Sequence, residues 1–419
     1  MAEMMPDGPL RIGVLGSGFM ANFHLQAFVG VRNARIAGVF SPTAANREAF
    51  AARANDLDLG PCLAYDSVEA LAKSSAIDAI WICGPNDTRL EHMRAIHRVV
   101  TAGRGSLRGI ACEKPLGRNL AEAREMVRLV EDAGLNHGYL ENQVFAPAVQ
   151  RGKEIIWRRG VPSTGRPYLA RAAEEHSGPH NPWFWQGDRQ GGGVLSDMMC
   201  HSVEVARFLL TQPGQGRDSL TLTSANATVA TLKWSRPEYV AQLRETMGAA
   251  VDYAQHPAED FARATLTFLD ETGAPVIVEA TTSWSYVGPG LRIQLELLGP
   301  EYSMAFNSLN SGLSIFLSRQ VGGQQGEDLV EKQGAEQGLL PVLEDEAGTY
   351  GYTAENRHMV EAFRKGIAPL ETFHDGAAVV EILMALYRSA ELGRTIALPD
   401  EALATYQPPV ARSRKREDA

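Results

Sequence analysis

Only four cysteines occur in 419 residues, Cys62, Cys83, Cys112 and Cys200, and no two form a CxxC pair. That spacing argues against a disulfide framework and a structural zinc site, so a reducing cytoplasm and no metal are expected. Long apolar runs are missing too: nowhere do about 18 apolar residues follow one another, and Met1 to Leu10 contains Pro6 and Asp7 where an export signal would be apolar. A soluble, unexported protein with no membrane partner is predicted. Basic charge is in deficit, with 40 Lys and Arg against 50 Asp and Glu and a formal net charge of -10. Nucleic acid and anionic lipid both demand clustered cations, so a small-molecule ligand fits better.

What is present reads as globular, with 44% hydrophobic and 21% charged residues. The length exceeds the usual size of one core and predicts two domains. From Leu10, short apolar runs (Arg11 to Leu15, Ile36 to Phe40, Ile77 to Cys83, Gly109 to Cys112, His137 to Glu141) alternate with helical patterns at Thr43 to Ala54, Arg89 to Ala102 and Leu120 to Ala133. This rhythm predicts an α/β domain with a doubly wound parallel sheet over residues 9–143. A second, α+β domain is predicted over 144–400. It begins with a helix at Ala148 to Arg159 and has a helix at Ser196 to Leu210. Its mainly antiparallel strands include Tyr168 to Ala173, Phe261 to Phe268, Val276 to Ser283 and Arg292 to Leu298. The polar stretch Gly322 to Gly351 is expected to be a loop or insertion, and helices are expected again at Ala354 to Lys365 and Asp375 to Gly393. Residues 401–419 form a tail, disordered at its charged end.

Gly16, Ser17 and Gly18 follow the first strand, then Phe19, Met20 and Ala21, with Ala21 third in a dinucleotide-binding fingerprint. Missing side chains let the backbone approach a pyrophosphate, whose charge the next helix N-terminus stabilises. Ser41 ends the second strand, where a carboxylate normally takes the ribose hydroxyls and repels a 2′-phosphate. Arg47 either reaches such a phosphate or is a solvated helix residue, so NAD and NADP both remain open. Pro85 and Asn86 fall at a further strand end beside the cofactor, or in a surface turn.

Glu113-Lys114-Pro115 ends the Gly109 to Cys112 run, at the edge where a parallel sheet presents its ligands. An ammonium there polarises a hydroxyl or carbonyl next to the nicotinamide ring, and the preceding carboxylate holds it in place. Asp197 and His201 are four apart on the helix that follows Gly191-Gly192-Gly193, hence on one face. Such a pair suits acid/base chemistry near neutrality. The spacing serves equally for a dipole-favoured Asp and a packed polar His.

Together, Gly16-Ser17-Gly18, Pro85-Asn86, Glu113-Lys114-Pro115 and Gly191 to His201 resemble the glucose-fructose oxidoreductase / inositol dehydrogenase / MocA family. The resemblance runs over nearly the whole chain, down to Asp375-Gly376 and Ser389 to Arg394. Arg89 stands where that family often has His. The resemblance implies an N-terminal Rossmann domain, a C-terminal domain with a large open sheet that often forms a dimer interface, and NAD(P)-linked chemistry on sugars or polyols. It implies a homodimer or homotetramer, and a catalytic set of Lys114, Asp197 and His201. Asn142, near the end of the last Rossmann strand, is expected to hydrogen-bond the carboxamide or a substrate hydroxyl.

The substrate-binding candidates are His176, His180, Trp183, Trp185 and Arg189, from a stretch rich in flat faces and donors for a carbohydrate. The tryptophans serve equally well as anchors of a long loop. Three functions are compatible with these residues. The first is net oxidation or reduction of a sugar hydroxyl or ketone. The second is a redox-neutral NAD-dependent glycosidase passing through a transient keto-sugar. The third is a sensor that binds sugar and cofactor without turnover.

Overall fold

Short runs such as Leu10-Arg-Ile-Gly-Val-Leu15 and Ala79-Ile-Trp-Ile82 form strands because they are apolar on both faces, as strands of a doubly covered parallel sheet must be. The computed structural model describes residues 8–248, 251, 253–254, 257–318, 330–333 and 337–412. The chain divides into two units, one of residues 1–146 and 351–380 and the other of residues 147–350 and 381–419.

The first unit runs β1 (Leu10–Leu15), α1 (Phe19–Phe28), β2 (Ala34–Phe40), α2 (Ala44–Asp56), β3 (Leu63–Tyr65), α3 (Val68–Lys73), β4 (Ala79–Ile82), α4 (Asn86–Thr101), β5 (Gly109–Glu113), α5 (Leu120–Asp132) and β6 (Asn136–Leu140). Its six strands are ordered β3-β2-β1-β4-β5-β6, and every pairing is parallel. The order reverses between β1 and β4, which opens a crevice at their carboxyl ends. Asn142 lies beyond the last strand, in a 3-10 turn at Asn142–Phe145.

The second unit contains α6 (Pro147–Ile155), α7 (Val161–Thr164), β7 (Leu169–Glu175), α8 (Gly187–Gln190), α9 (Val194–Leu210), β8 (Thr221–Ala230), α10 (Pro237–Met247), β9 (Phe261–Leu269), β10 (Pro275–Ser283), β11 (Arg292–Gly299), β12 (Tyr302–Asn307), β13 (Leu313–Leu317), β14 (Gly338–Val342) and α11 (Glu346–Thr349). After α12 (Tyr352–Lys365), α13 (Phe373–Leu392) carries the chain from the first unit back into the second, where β15 (Ile396–Ala397) completes it. The main sheet is ordered β12-β11-β7-β10-β9-β8-β15 and is antiparallel except where β10 meets β7. Helix α9 packs on β7 and β10, and all of its residues are buried. The opposite face carries Arg171, paired with Glu279 at 2.7 Å and Glu296 at 3.3 Å.

Two expectations need correction. The second domain is not one segment over 144–400, because residues 351–380 belong to the first unit. The reason is packing. Gly109 on β5 and Gly138 on β6 leave room for Phe363 and Met359 of α12, and a Cβ would come within 2.8 Å of the first and 2.4 Å of the second. The polar stretch 322–351 is not simply a loop: Gly338–Val342 pairs antiparallel with β13, and Asp345 caps α11. Residues 319–329 and 334–336 lie outside the described ones. Of the tail expected over 401–419, residues up to Arg412 are held, Arg412 pairing with Glu391 at 2.7 Å, and the charged end, 413–419, lies outside the described residues. Among the described residues, no helix is long and apolar enough to cross a membrane.

Candidate active site

In the first unit the glycine turn sits at the sheet's reversal point. Gly16 has φ 113°, which favours glycine, and a Cβ there would meet the Cys83 and Gly84 backbone at 3.1 Å. Its N–H donates to Phe40 O at 2.8 Å, which ties the β1 and β2 ends together. Gly18 caps α1 without a side-chain hydrogen bond, and a Cβ on it would meet nothing within 4 Å. The turn therefore leaves open space before a ten-residue helix whose first turn carries no acidic side chain, the cradle a pyrophosphate needs. Phe19 and Met20 begin that helix.

Ser17 reaches Ser41, Oγ to Oγ at 2.9 Å, so the two serines named from sequence are brought together. Arg47 donates to Ser41 O and Pro42 O at 3.3 and 3.4 Å and pairs with Asp66 at 2.7 Å. Its guanidinium lies at the β2 end but is shared with a carboxylate that sequence reasoning did not mark. Pro85 caps α4, whose buried side includes Asn86 and Arg89 among Met93, Ile96 and Val99. Asn142 is buried against the start of α12, where Gly351, at φ 96°, lets the Asn142 carbonyl approach to within 2.1 Å of a would-be Cβ.

Lys114 follows the last residue of β5. Its backbone is gripped from two sides. The Lys114 N–H donates to Glu113 Oε2 at 3.0 Å, and Glu113 Oε1 lies 2.7 Å from His24 Nε2. Arg89 Nη1 donates to the Glu113 and Pro115 carbonyls at 2.7 and 2.5 Å, while its Nε donates to Gly84 O at 3.1 Å. One buried guanidinium thus joins the turns after β4 and β5. Burial alone would raise the Glu113 pKa, yet the His24 hydrogen bond and the Lys114 and Arg89 charges bring it below its ordinary value. The Glu113 carboxyl is therefore an anion facing two cations.

In the second unit the three glycines before α9 have separate reasons. Gly191 is left-handed at φ 97° and ends α8. A Cβ on Gly192 would stand 2.0 Å from Tyr387 Oη, and one on Gly193 would stand 2.5 Å from Glu259 O. Glu259 Oε1 accepts from the Gly193 and Leu195 N–H groups and from Tyr387 Oη, while Tyr387 Oη accepts from the Gly193 and Ser196 N–H groups. Burial pushes the Glu259 carboxyl up despite these bonds. These contacts fix the N-terminus of α9, which carries Asp197 and His201, both buried. The indole of Trp284 donates to Asp197 Oδ2 at 3.3 Å.

The substrate candidates separate. Trp185 is 3% exposed and packs against Trp234, Tyr253 and Trp284 at centroid distances of 5.3, 4.9 and 5.1 Å. With its N–H on Pro179 O, it offers no open face, so its sugar-binding role is corrected to that of a loop anchor. Trp183 stays half-buried, stacked on Phe184 at 3.8 Å. His176 is buried and accepts from Gly178 N–H at 2.9 Å. His180 lies 3.2 Å from Lys332, and burial with that charge lowers its pKa to about 4, so it is neutral above that pH. Arg189 is half-buried on α8.

Sequence reasoning missed His24, the clamp formed by Arg89, and Glu259, Tyr387, Trp284 and Lys332. One signal was available for the first two. Each is a polar residue inside a stripe that is otherwise apolar at helical spacing, as His24 is between Ala21 and Phe28 on α1.

The strand order, the glycine turn at the reversal point and the lysine at a strand end make the first unit a dinucleotide-binding Rossmann domain. Residues 10–139 match the model of the oxidoreductase family with an NAD-binding Rossmann fold, and residues 163–304 match the GFO/IDH/MocA C-terminal domain. The chain belongs to the GFO/IDH/MocA family, and its N-terminal unit is an NAD-binding domain. Levoglucosan dehydrogenase of Pseudarthrobacter phenanthrenivorans is similar at 25% identity over 407 residues, 91% of this chain and 96% of that protein. Inositol 2-dehydrogenase of Rhizobium meliloti is 28% identical over 218 residues, 52% of this chain and 58% of that protein, so the chain spans little more than half of that relative. The solved structure of GenD2 from gentamicin A biosynthesis, in complex with NAD, shares the fold with a TM-score of 0.74 and 23% identity, over 96% of this chain and 99% of that one.

Proposed function

We propose that this protein is an NAD-dependent oxidoreductase acting on a secondary hydroxyl or ketone of a sugar, sugar derivative or polyol. The observation that carries this reading is Lys114, placed after β5 by a buried, charged Glu113 in an NAD-binding unit. Relatives acting on inositol and levoglucosan support the substrate class. NAD supplies a hydride acceptor or donor when bound. The Gly16-Ser17-Gly18 backbone and the α1 N-terminus hold its pyrophosphate, and Ser41 lies toward its adenosine end. Lys114 polarises the substrate oxygen, His201 takes or returns the hydroxyl proton, and Asp197 orients the group being handled. Four buried free cysteines support a reducing compartment, and the polar outer face of the seven-stranded sheet supports association into a homodimer or homotetramer.

The test is a screen of sugars, polyols and aryl glycosides against purified protein with NAD, following NADH absorbance and aglycone release together. NADH formed in proportion to substrate supports the reading. Aglycone release without net NADH shows the redox-neutral glycosidase instead, and binding with neither shows a sensor.

The Asp66 pair with Arg47 supports NAD over NADP, because the guanidinium is already shared with a carboxylate. An Asp66→Ala protein is expected to gain about 5-fold in NADP affinity relative to NAD, given that an exposed ion pair is worth up to about 1 kcal/mol. Equilibrium binding of both cofactors measures this. An unchanged ratio removes Arg47 from the specificity argument.

A further inference from the structure

One chain of hydrogen bonds in the first unit has its direction fixed from its far end. An indole N–H only donates, and Trp81 Nε1 lies 2.9 Å from Asn356 Oδ1. That contact makes Oδ1 the acceptor and leaves Nδ2 as the donor. Nδ2 meets Tyr352 O at 2.9 Å and His24 Nδ1 at 2.9 Å. A donor aimed at Nδ1 needs a lone pair there, so the neutral imidazole carries its proton on Nε2. Nε2 is the atom 2.7 Å from Glu113 Oε1, and the other oxygen of Glu113 holds the Lys114 N–H.

Each link forces the next, and reversing any one sets two donors or two acceptors against each other. Water offers no substitute, because Trp81 and Asn356 are 0% exposed and His24 and Glu113 are 2% exposed. Tyr352 closes over the imidazole edge-on, with ring centroids 5.4 Å apart. The charged or titratable groups facing Glu113 besides His24 are Lys114, Arg89, Glu355 and the thiols of Cys83 and Cys112.

We propose that Trp81, Asn356 and His24 form a one-way hydrogen-bond relay that holds His24 as its neutral Nε2–H tautomer and, through Glu113, positions Lys114. These are positioning residues, and their catalytic consequence rests on the proposed function, whereas the tautomer does not. The chain has ten histidines, so His24→Gln assigns the His24 signals in 15N-histidine NMR of the full-length protein by their loss. At neutral pH His24 is expected to show an unprotonated Nδ1 and a protonated Nε2. In Asn356→Asp the carboxylate still accepts from Trp81 but now requires an N–H from Nδ1, so His24 is expected to become doubly protonated. A wild-type Nδ1–H tautomer, or an Asn356→Asp protein with unchanged His24 signals, overturns the relay.

Turnover provides the second arm. Gln at position 24 retains both a donor toward Glu113 and an acceptor for Asn356, so it is expected to keep kcat within a few-fold. His24→Leu is expected to lose about 10-fold to 100-fold in kcat, the size typical of removing an orienting partner, with the Kd for NAD unchanged. Full kcat in His24→Leu, while Lys114→Ala is inactive, overturns the positioning role. Full kcat in Lys114→Ala instead refutes the assigned chemistry and leaves the tautomer result standing.

Discussion

Replacing Lys114 by alanine is expected to lower turnover by about 10²-fold to 10⁴-fold, the range for loss of a positioned polarising or proton-handling group, with NAD binding nearly unchanged. The frame around the residue explains the separation. Contacts from other residues fix this stretch of backbone: the Glu113 carboxylate on the Lys114 N–H, and Arg89 on the flanking carbonyls. Alanine keeps that N–H and both carbonyls, so the variant loses the ammonium and retains the turn. The glycine turn at Gly16 to Gly18, at the end of β1, is likewise untouched. On the proposed role of His201 as general base, His201→Ala is expected to show a loss of similar order. Steady-state kcat, the NAD Kd and a thermal melt of each variant are the measurements. Near-normal kcat in either one refutes its catalytic role, while loss of NAD binding in Lys114→Ala shows that the residue holds the cofactor instead.

The second large effect concerns stability. Glu355 on α12 is 0% exposed, and neither carboxyl oxygen has a hydrogen-bond partner among the described residues. Burial pushes its pKa well above the ordinary value, and the charges of Glu113, Glu141 and Glu371 add to that. In the unfolded chain the group titrates near the ordinary glutamate value of 4.5. Below that pH both states are protonated and the protonated carboxyl exerts no pH-dependent cost. As pH rises above it, the unfolded chain releases a proton that the folded chain keeps, and stability falls by about 1.4 kcal/mol per pH unit until the folded pKa is passed. Glu355→Gln removes this slope. Its stability relative to the parent is expected to improve progressively as pH rises above the ordinary carboxylate range, read from denaturant unfolding at several pH values. A difference that does not change with pH shows that Glu355 is already ionised in the folded protein.

Much of this architecture was legible because its signals are local. β1, β2, β4 and β5 are mostly apolar runs, β6 shows only an apolar end at Tyr139-Leu140, and the glycine turn after β1 is a matter of three adjacent residues. β3 escaped notice because it is a three-residue edge strand whose side chains are exposed or half-exposed, so it carries no burial pattern. The return of α12 was hidden for a different reason: the glycines that admit Phe363 and Met359 lie on β5 and β6, far away in sequence. The family resemblance supplied Lys114, Asp197 and His201 as a set, but not what holds them. Glu259 and Tyr387 grip the α9 N-terminus from 66 and 194 residues beyond Gly193, and no spacing rule reaches that far. Trp185 shows the opposite failure, since an indole in a polar loop has the same sequence appearance whether it faces ligand or core.

The return of residues 351–380 to the first unit also sets an order on biosynthesis. All six strands of the parallel sheet are made by Leu140, yet the Trp81 indole receives its acceptor from a residue 275 positions later. During translation the nascent sheet waits, with the flank at Gly109 and Gly138 uncovered, while the whole of the second unit up to residue 350 emerges. A chain cut after residue 146 lacks Asn356, Met359 and Phe363 together. A fragment cut at the first boundary is therefore expected to be less stable than one carrying residues 351–380 grafted onto its end, which a thermal melt of the two would compare.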